Sequence, residues 1–314
     1  MTDLLHEKMA FLICGVVALL TLSSIIGYIL SRKVKSDSGR ETVRNLNARI
    51  KAWWVMVAIF AIAFVFGKGV TLILFAFVSF MALREFYSIT PTHPSDHAAM
   101  AAAFYIFLPL QYWLVWIDWV TMLTILIPVY AFLALPVLSM LRGVTADYLV
   151  RVSKIQWGLM IAVFCISHAP ALLMLDLGEV KPVYLLFFLV TVVQLSDVFQ
   201  YTAGKLLGRH KMAPNVSPSK TWEGLIIGGL AATAVGAGLY WITPFSPLEA
   251  AGMAFAIVVA GALGGLVLSA VKRSLGAKDW GAMIEGHGGA LDRMDSVTYA
   301  APLFFHLTNY FFAR

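Results

Sequence analysis

The chain is 314 residues long, 60% hydrophobic and 13% charged, with a formal net charge of +6 and a mean hydropathy of +0.83. Soluble domains average about 45–50% apolar and about 25% charged residues, so a water-soluble fold does not fit and an integral membrane protein is expected. Both cysteines, Cys14 and Cys165, fall in apolar runs where a thiol packs as a small hydrophobe, which leaves no disulfide framework and no thiol metal spacing.

Apolar segments fall at residues 10–30, 53–67, 70–83, 98–117, 120–141, 157–175, 183–196, 225–242, 251–270 and 296–312. The pattern predicts an all-α polytopic membrane protein with about ten transmembrane or partly spanning helices, a full crossing taking about 20 residues. The second and third segments, parted only by Gly67-Lys68-Gly69, are short enough for a hairpin that does not fully cross. The first follows Asp3, Glu7 and Lys8 and shows no small-x-small cleavage site, so a retained anchor is expected. The stretch 31–52 carries Arg32, Lys33, Lys35, Arg40, Arg44, Arg49 and Lys51, while Val43, Leu46, Ile50 and Trp53 recur at helical spacing. That is an interfacial helix, serving either to gather anionic lipid or as a topology signal.

If the segments alternate across the bilayer, one side holds every Lys and Arg except Lys8, Lys68, Lys181 and Arg314. Cytoplasmic loops are enriched in these residues, so that side is read as cytoplasmic, with both termini outside. The net charge then reflects topology and attraction to anionic lipid, and no nucleic-acid partner is expected. His168, followed by Pro170 in the sixth segment, is a polar oddity at membrane depth; it either lines a site or is satisfied by a neighbouring helix.

The seventh segment ends in Gln194-Leu-Ser196-Asp197, and the loop beyond it contains Lys205, Lys211, Ser217, Lys220 and Thr221 among Gly and Pro. Exposed amides, hydroxyls and ammoniums together suit a phosphate cradle. The alternative is that Ser217 or Ser219 caps the eighth segment while the lysines mark the cytoplasmic face. Gly224 with Gly228, and Gly261 with Gly264 and Gly265, read as close helix packing.

The last quarter carries Ser269-Ala-Val-Lys272-Arg273, Lys278-Asp279, Gly286-His287-Gly288-Gly289 and Asp292-Arg293-Met-Asp295-Ser296. Asp292 and Asp295, three apart, share a helix face and suit one hard cation beside a substrate phosphate; the other reading is helix capping. Asp197, Asp279 and Glu285 add carboxylates near the same surface, and His287 sits in a Gly-rich turn. No Ser-His-Asp or Cys-His arrangement is present, and none is required where a phosphate monoester is already an ionised nucleophile.

These strings closely resemble the signature of the phosphatidate cytidylyltransferase, or CDP-diacylglycerol synthase, family: Ser-x-x-Lys-Arg, Lys-Asp, His-Gly-Gly, Asp-Arg-x-Asp. The block at 194–224 resembles the family's second one, with its Ser-Pro-x-Lys-Thr-x-x-Gly, and the likeness covers roughly 194–296. It implies that CTP and phosphatidate, or a related lipid phosphate, give CDP-diacylglycerol and pyrophosphate with Mg²⁺. The implied catalytic residues are Asp292, Asp295, Lys272, Arg273 and Asp279. Lys205, Ser217, Lys220, Thr221, Lys278, His287 and Arg293 would bind substrate, and Asp292, Asp295 and Asp197 would hold metal. On this reading 1–180 forms N-terminal membrane helices and 181–314 the catalytic region, its polar site facing the cytoplasm. A homodimer stays open.

The family normally shows Gly-Asp-x-x-Glu-Ser ahead of the signature Ser, where this chain has Gly264-Gly265-Leu-Val-Leu268-Ser269. Two family carboxylates are therefore replaced, by Gly265 and Leu268. A carboxylate at 265 is expected to restore a metal ligand if the site is a weakened form of the family's own. A repurposed or silent lipid-binding homologue is the rival reading, with a transporter as a third.

Overall fold

The computed structural model describes residues 2–33, 40, 43, 44, 47, 50, 51, 53, 54, 57, 58, 61, 62, 66–178, 180–281 and 288–313. Among these the regular secondary structure is helical apart from one hairpin. The helices are α1 (Thr2–Lys33), α2 (Lys68–Ile89), α3 (Pro94–Trp116), α4 (Val120–Met140), α5 (Tyr148–Met174) and α6 (Val183–Leu207). After the antiparallel strands β1 (Lys211–Ala213) and β2 (Ser217–Thr221) come α7 (Gly224–Gly238), α8 (Pro247–Ser274) and α9 (Ala290–Phe311). Among the described residues seven helices are long and apolar enough to cross a membrane; α7 and α9 stand outside that set. Of the expected segment at 53–67, residues 55, 56, 59, 60 and 63–65 lie outside the described residues.

Several helices run past the point where hydropathy fades, because their charges find partners. The third segment, expected to end at residue 83 and to cross only partly, continues through Arg84 and Glu85 to Ile89, giving 22 residues. Glu85 is 6% exposed, its carboxylate accepting Ala290 N–H at 2.8 Å and Leu291 N–H at 2.9 Å. Likewise α5 begins at Tyr148 and not near 157, since the buried Arg151 guanidinium pairs with Asp96 at 2.9 Å and donates to Val144 O. At its start α8 carries a capping box: Glu249 N–H reaches Ser246 Oγ, Ser246 N–H reaches the Glu249 carboxylate, and Pro247 opens the first turn.

The residues form two compact units, 1–71 with 284–287, and 72–283 with 288–314. In the first, Trp54 Nε1 donates to Ser24 Oγ at 3.0 Å, and Val43 is buried while Arg40, Arg44 and Lys51 are exposed. The expected division into apolar and basic faces thus holds at these positions; Lys35, Leu46 and Arg49 lie outside the described residues. In the second unit, Phe188 stacks on Phe304 at 5.6 Å with Phe245 edge-on to both, while Ile73, Leu133 and Leu248 turn outward, as a lipid-facing surface requires.

Glycines set how closely the site-bearing helices approach. A Cβ on Gly224 would stand 2.6 Å from Gln200 O, and one on Gly228 would overlap the Gln200 backbone, so α7 lies directly against α6. A Cβ on Gly264 would stand 2.7 Å from the Tyr299 side chain, and Gly261 faces Ser296, which brings α8 against α9. The packing role expected of these glycines is the one they have.

Candidate active site

Three helices and one strand bring polar side chains together. Asp197 comes from α6, Lys220 from β2, Lys272 from the end of α8, and Asp292, Arg293, Asp295 and Ser296 from the first two turns of α9. Ser296 Oγ donates to Asp197 Oδ1 at 3.0 Å, and Ser296 N–H donates to Asp295 Oδ1 at 2.8 Å, so one serine ties the two acidic positions together. Asp197 is exposed, and Asp295 is partly so. The Lys220 ammonium exerts its charge on both carboxylates, and Arg293 and Lys272 add theirs to Asp197 and Asp295 respectively.

Asp292 has a different setting. Its Oδ1 accepts from Lys272 Nζ at 2.6 Å, with both side chains nearly buried. Its Oδ2 accepts the N–H groups of Trp280 at 2.8 Å and Gly289 at 2.9 Å. This carboxylate therefore caps α9 and clamps the end of α8 to it, which is the capping alternative raised by the sequence. With Glu85 on the next two amides, the start of α9 is filled by the protein's own anions. The amides of Gly289, Ala290 and Leu291 are therefore already taken and are not open to a substrate phosphate.

The second motif block folds as the β1–β2 hairpin, with Val216 N–H closing its turn on Ala213 O at 3.1 Å. Lys220 reaches inward from β2, its Nζ donating to Ala262 O at 3.3 Å. Thr221 is buried among Gly204, Gly208 and Gly224, and its Oγ1 accepts Gly224 N–H at 3.1 Å, so Thr221, and neither Ser217 nor Ser219, makes the capping bond at the start of α7. Arg273 donates to Val216 O and Ala277 O, fastening the hairpin to the end of α8. Ser217 is half-buried at the start of β2, whereas Lys205, Lys278 and Asp279 are exposed. His287 lies outside the described residues, as does Glu285.

Glu223 was not singled out by the sequence, yet it organises the hairpin. Its carboxylate binds the His210 ring at 2.6 Å and the amides of Arg209 and His210, and these bonds, the His210 side chain first, pull its pKa down to about 2. Glu85 and Ser296 were also missed as contributors. A buried carboxylate aimed at a distant helix start leaves no local sequence signal, and the hydroxyl of Ser296 gains meaning only from Asp197, 99 positions away. His168 sits outside the cluster: its Nδ1 donates to Phe164 O at 2.7 Å and its ring packs on Phe305 and His306.

Among the described residues no three His, Cys, Asp or Glu side chains assemble into a metal-binding group. Of the cluster's carboxylates Asp292 is paired with Lys272, which leaves Asp197 and Asp295 as its candidate ligands. Hard oxygen donors of this kind suit Mg²⁺, which commonly takes one or two carboxylates and completes its shell with water and substrate phosphate.

A family model described as the cytidylyltransferase family matches residues 47–311. The chain is 35% identical over 296 residues to an Escherichia coli K12 protein named only as the uncharacterized protein YnbB, covering 93% of this chain and 96% of that one. It is 42% identical over 118 residues to the phosphatidate cytidylyltransferase of Mycobacterium leprae, 37% of either chain. With the phosphatidate cytidylyltransferase of Haemophilus influenzae the identity is 39% over 141 residues, 41% of this chain and 46% of the relative. The chain thus spans under half the length of these named enzymes. The family match, by contrast, takes in every element that sends a side chain into the cluster, and on that ground the chain belongs to the cytidylyltransferase family, as a polytopic membrane protein whose family chemistry is CTP-dependent nucleotidyl transfer.

Proposed function

We propose that the cluster around Asp197, Lys220 and Asp295 transfers the cytidylyl group of CTP to the phosphate of phosphatidate, giving CDP-diacylglycerol and pyrophosphate. The observation that carries this reading is the pairing of open carboxylates, Asp197 and Asp295, with the Lys220 and Arg293 cations at the meeting of α6, α8 and α9. The phosphate monoester oxygen attacks the α-phosphorus of CTP, the bond to the β-phosphate oxygen breaks, and its electrons leave on pyrophosphate. No protein nucleophile is needed, so catalysis reduces to alignment and charge neutralisation.

Asp197 and Asp295 would hold Mg²⁺, which when bound screens the developing charge on the triphosphate. Lys220 and Arg293 orient phosphate oxygens, and Asp292 keeps Lys272 and the start of α9 in place. The distribution of Lys and Arg favours a cytoplasmic position for the cluster, the side where CTP is found. Purified protein given CTP, phosphatidate and Mg²⁺ should release pyrophosphate and form CDP-diacylglycerol; absence of both from folded protein overturns the reading. Repeating the assay across lipid phosphates and nucleotides defines the substrates.

A second reading, a site that binds these ligands with little turnover, is favoured by the Lys220 ammonium standing against Gly265. Measurable ligand binding without pyrophosphate release would select it.

A further inference from the structure

Glu85 is a buried acid that the reaction scheme leaves unused, and its partners are informative. It lies in the last turn of α2, some 200 positions before the motif it serves, and each carboxylate oxygen takes one amide of the first turn of α9. A Cβ on Gly281 would stand 3.0 Å from the Glu85 carboxyl group, and a Cβ on Gly289 would overlap it. The same carboxylate thus touches both ends of the Gly281–Gly289 segment. Next to it, Phe86 stacks on the fully buried Trp280 at 5.3 Å and 25°, while Trp280 N–H bonds to Asp292.

A carboxylate at a helix N-terminus is stabilised by the free amides and the helix dipole. That alone would describe a cap supplied in trans. What sets this one apart is where the amides lead: Leu291 is followed within four residues by Asp292, Arg293 and Asp295. Resting on the nucleotidyl-transfer reading, we propose that Glu85 is a positioning residue for the reaction: it fixes the start of α9 and both ends of the Gly281–Gly289 segment, and so sets where Arg293 and Asp295 meet the phosphates. Only a residue with two acceptor oxygens and this reach holds both amides; Gln offers one acceptor and turns an NH₂ donor against the other amide.

The test uses the full-length protein, with hydrogen exchange measured without substrate and steady-state kinetics measured with it. Glu85→Gln should speed exchange in peptides covering 288–295, leave exchange in α6 unchanged, and lower kcat about 10–100-fold with the KM for CTP held within about threefold, since misplaced groups penalise the transition state more than binding. Gly289→Ala reaches the same contact from the other side; φ at 289 is −89°, so the backbone accepts Ala and the cost is the collision with Glu85. It should reproduce the exchange and kcat changes, and it stands alone if Glu85→Gln fails to fold. Wild-type kcat and exchange in the folded variants overturn the proposal, as does a loss of activity fully accounted for by a smaller folded fraction. An inactive wild type overturns the nucleotidyl-transfer reading and the positioning role with it, while the exchange data still decide whether Glu85 holds α9.

Discussion

The ammonium of Lys220 stands 2.6 Å from the point where a Cβ on Gly265 would lie, held there by Ala262 O. A carboxylate placed at 265 therefore meets an ammonium before it meets any metal ion. Its first effect would be an ion pair with Lys220, contrary to the expectation that it restores a ligand directly. Gly265→Asp alone should leave Mn²⁺ affinity, read by electron paramagnetic resonance, near wild type, because the end of a lysine side chain moves aside cheaply to pair with it. The double change Gly265→Asp with Lys220→Met should tighten Mn²⁺ binding by about tenfold or more. Tighter binding in the single variant would show that Lys220 does not govern the position.

Asp292 and Asp295 should separate when each is changed to Asn. Asp292→Asn breaks a buried charge pair with Lys272, a loss of about 3–5 kcal/mol in comparable settings, and should lower the unfolding temperature in detergent. Asp295→Asn should keep that temperature and cut kcat about 100-fold or more. Equal unfolding temperatures for the two variants would contradict the assignment of the clamp to Asp292.

The hairpin should tolerate mild acid as far as Glu223 is concerned. Its folded pKa is depressed to about 2 by its bonds to His210 and the 209–210 amides, so its contribution is fully present above the unfolded value of about 4.3. It is lost as pH falls from there through about 2. Hydrogen exchange in peptides covering 208–222, corrected for intrinsic rates, should stay constant from pH 7 to pH 5, and Glu223→Gln should raise it across that range. A rise in wild-type exchange between pH 6 and pH 5 would place the control elsewhere.

Two glycines should respond in opposite directions. Gly228→Ala drives a Cβ into the Gln200 backbone and should cost about 1–3 kcal/mol through overpacking. Gly252 lies in α8 with nothing within 4 Å of its Cβ direction, so Gly252→Ala should stabilise the protein by about 0.5–1 kcal/mol. Thermal unfolding of both variants in one detergent checks the pair; equal shifts would argue against close α6–α7 contact.

Membrane residence, helical class and the two motif blocks were legible in the sequence because each is written locally: apolar runs of crossing length, basic loops, and charged residues dense enough to stand out. The packing glycines were legible for the same reason, since GxxxG spacing places both on one helix face. Helix ends were not. Arg84, Glu85 and Arg151 look like terminators in a hydropathy profile, yet α2 and α5 run through them because Glu85 meets the amides of α9 and Arg151 meets Asp96. The functions of the two signature aspartates were equally hidden. Their i, i+3 spacing is the same for a metal pair and for a cap beside a site residue, and only the approach of Lys272, Trp280 and Gly289 assigns the cap to Asp292. Composition and spacing determined which residues share a surface; which of those charges is neutralised within the protein and which stays open depends on partners 20, 99 and about 200 positions away, and only the tertiary structure brings those partners within hydrogen-bond reach.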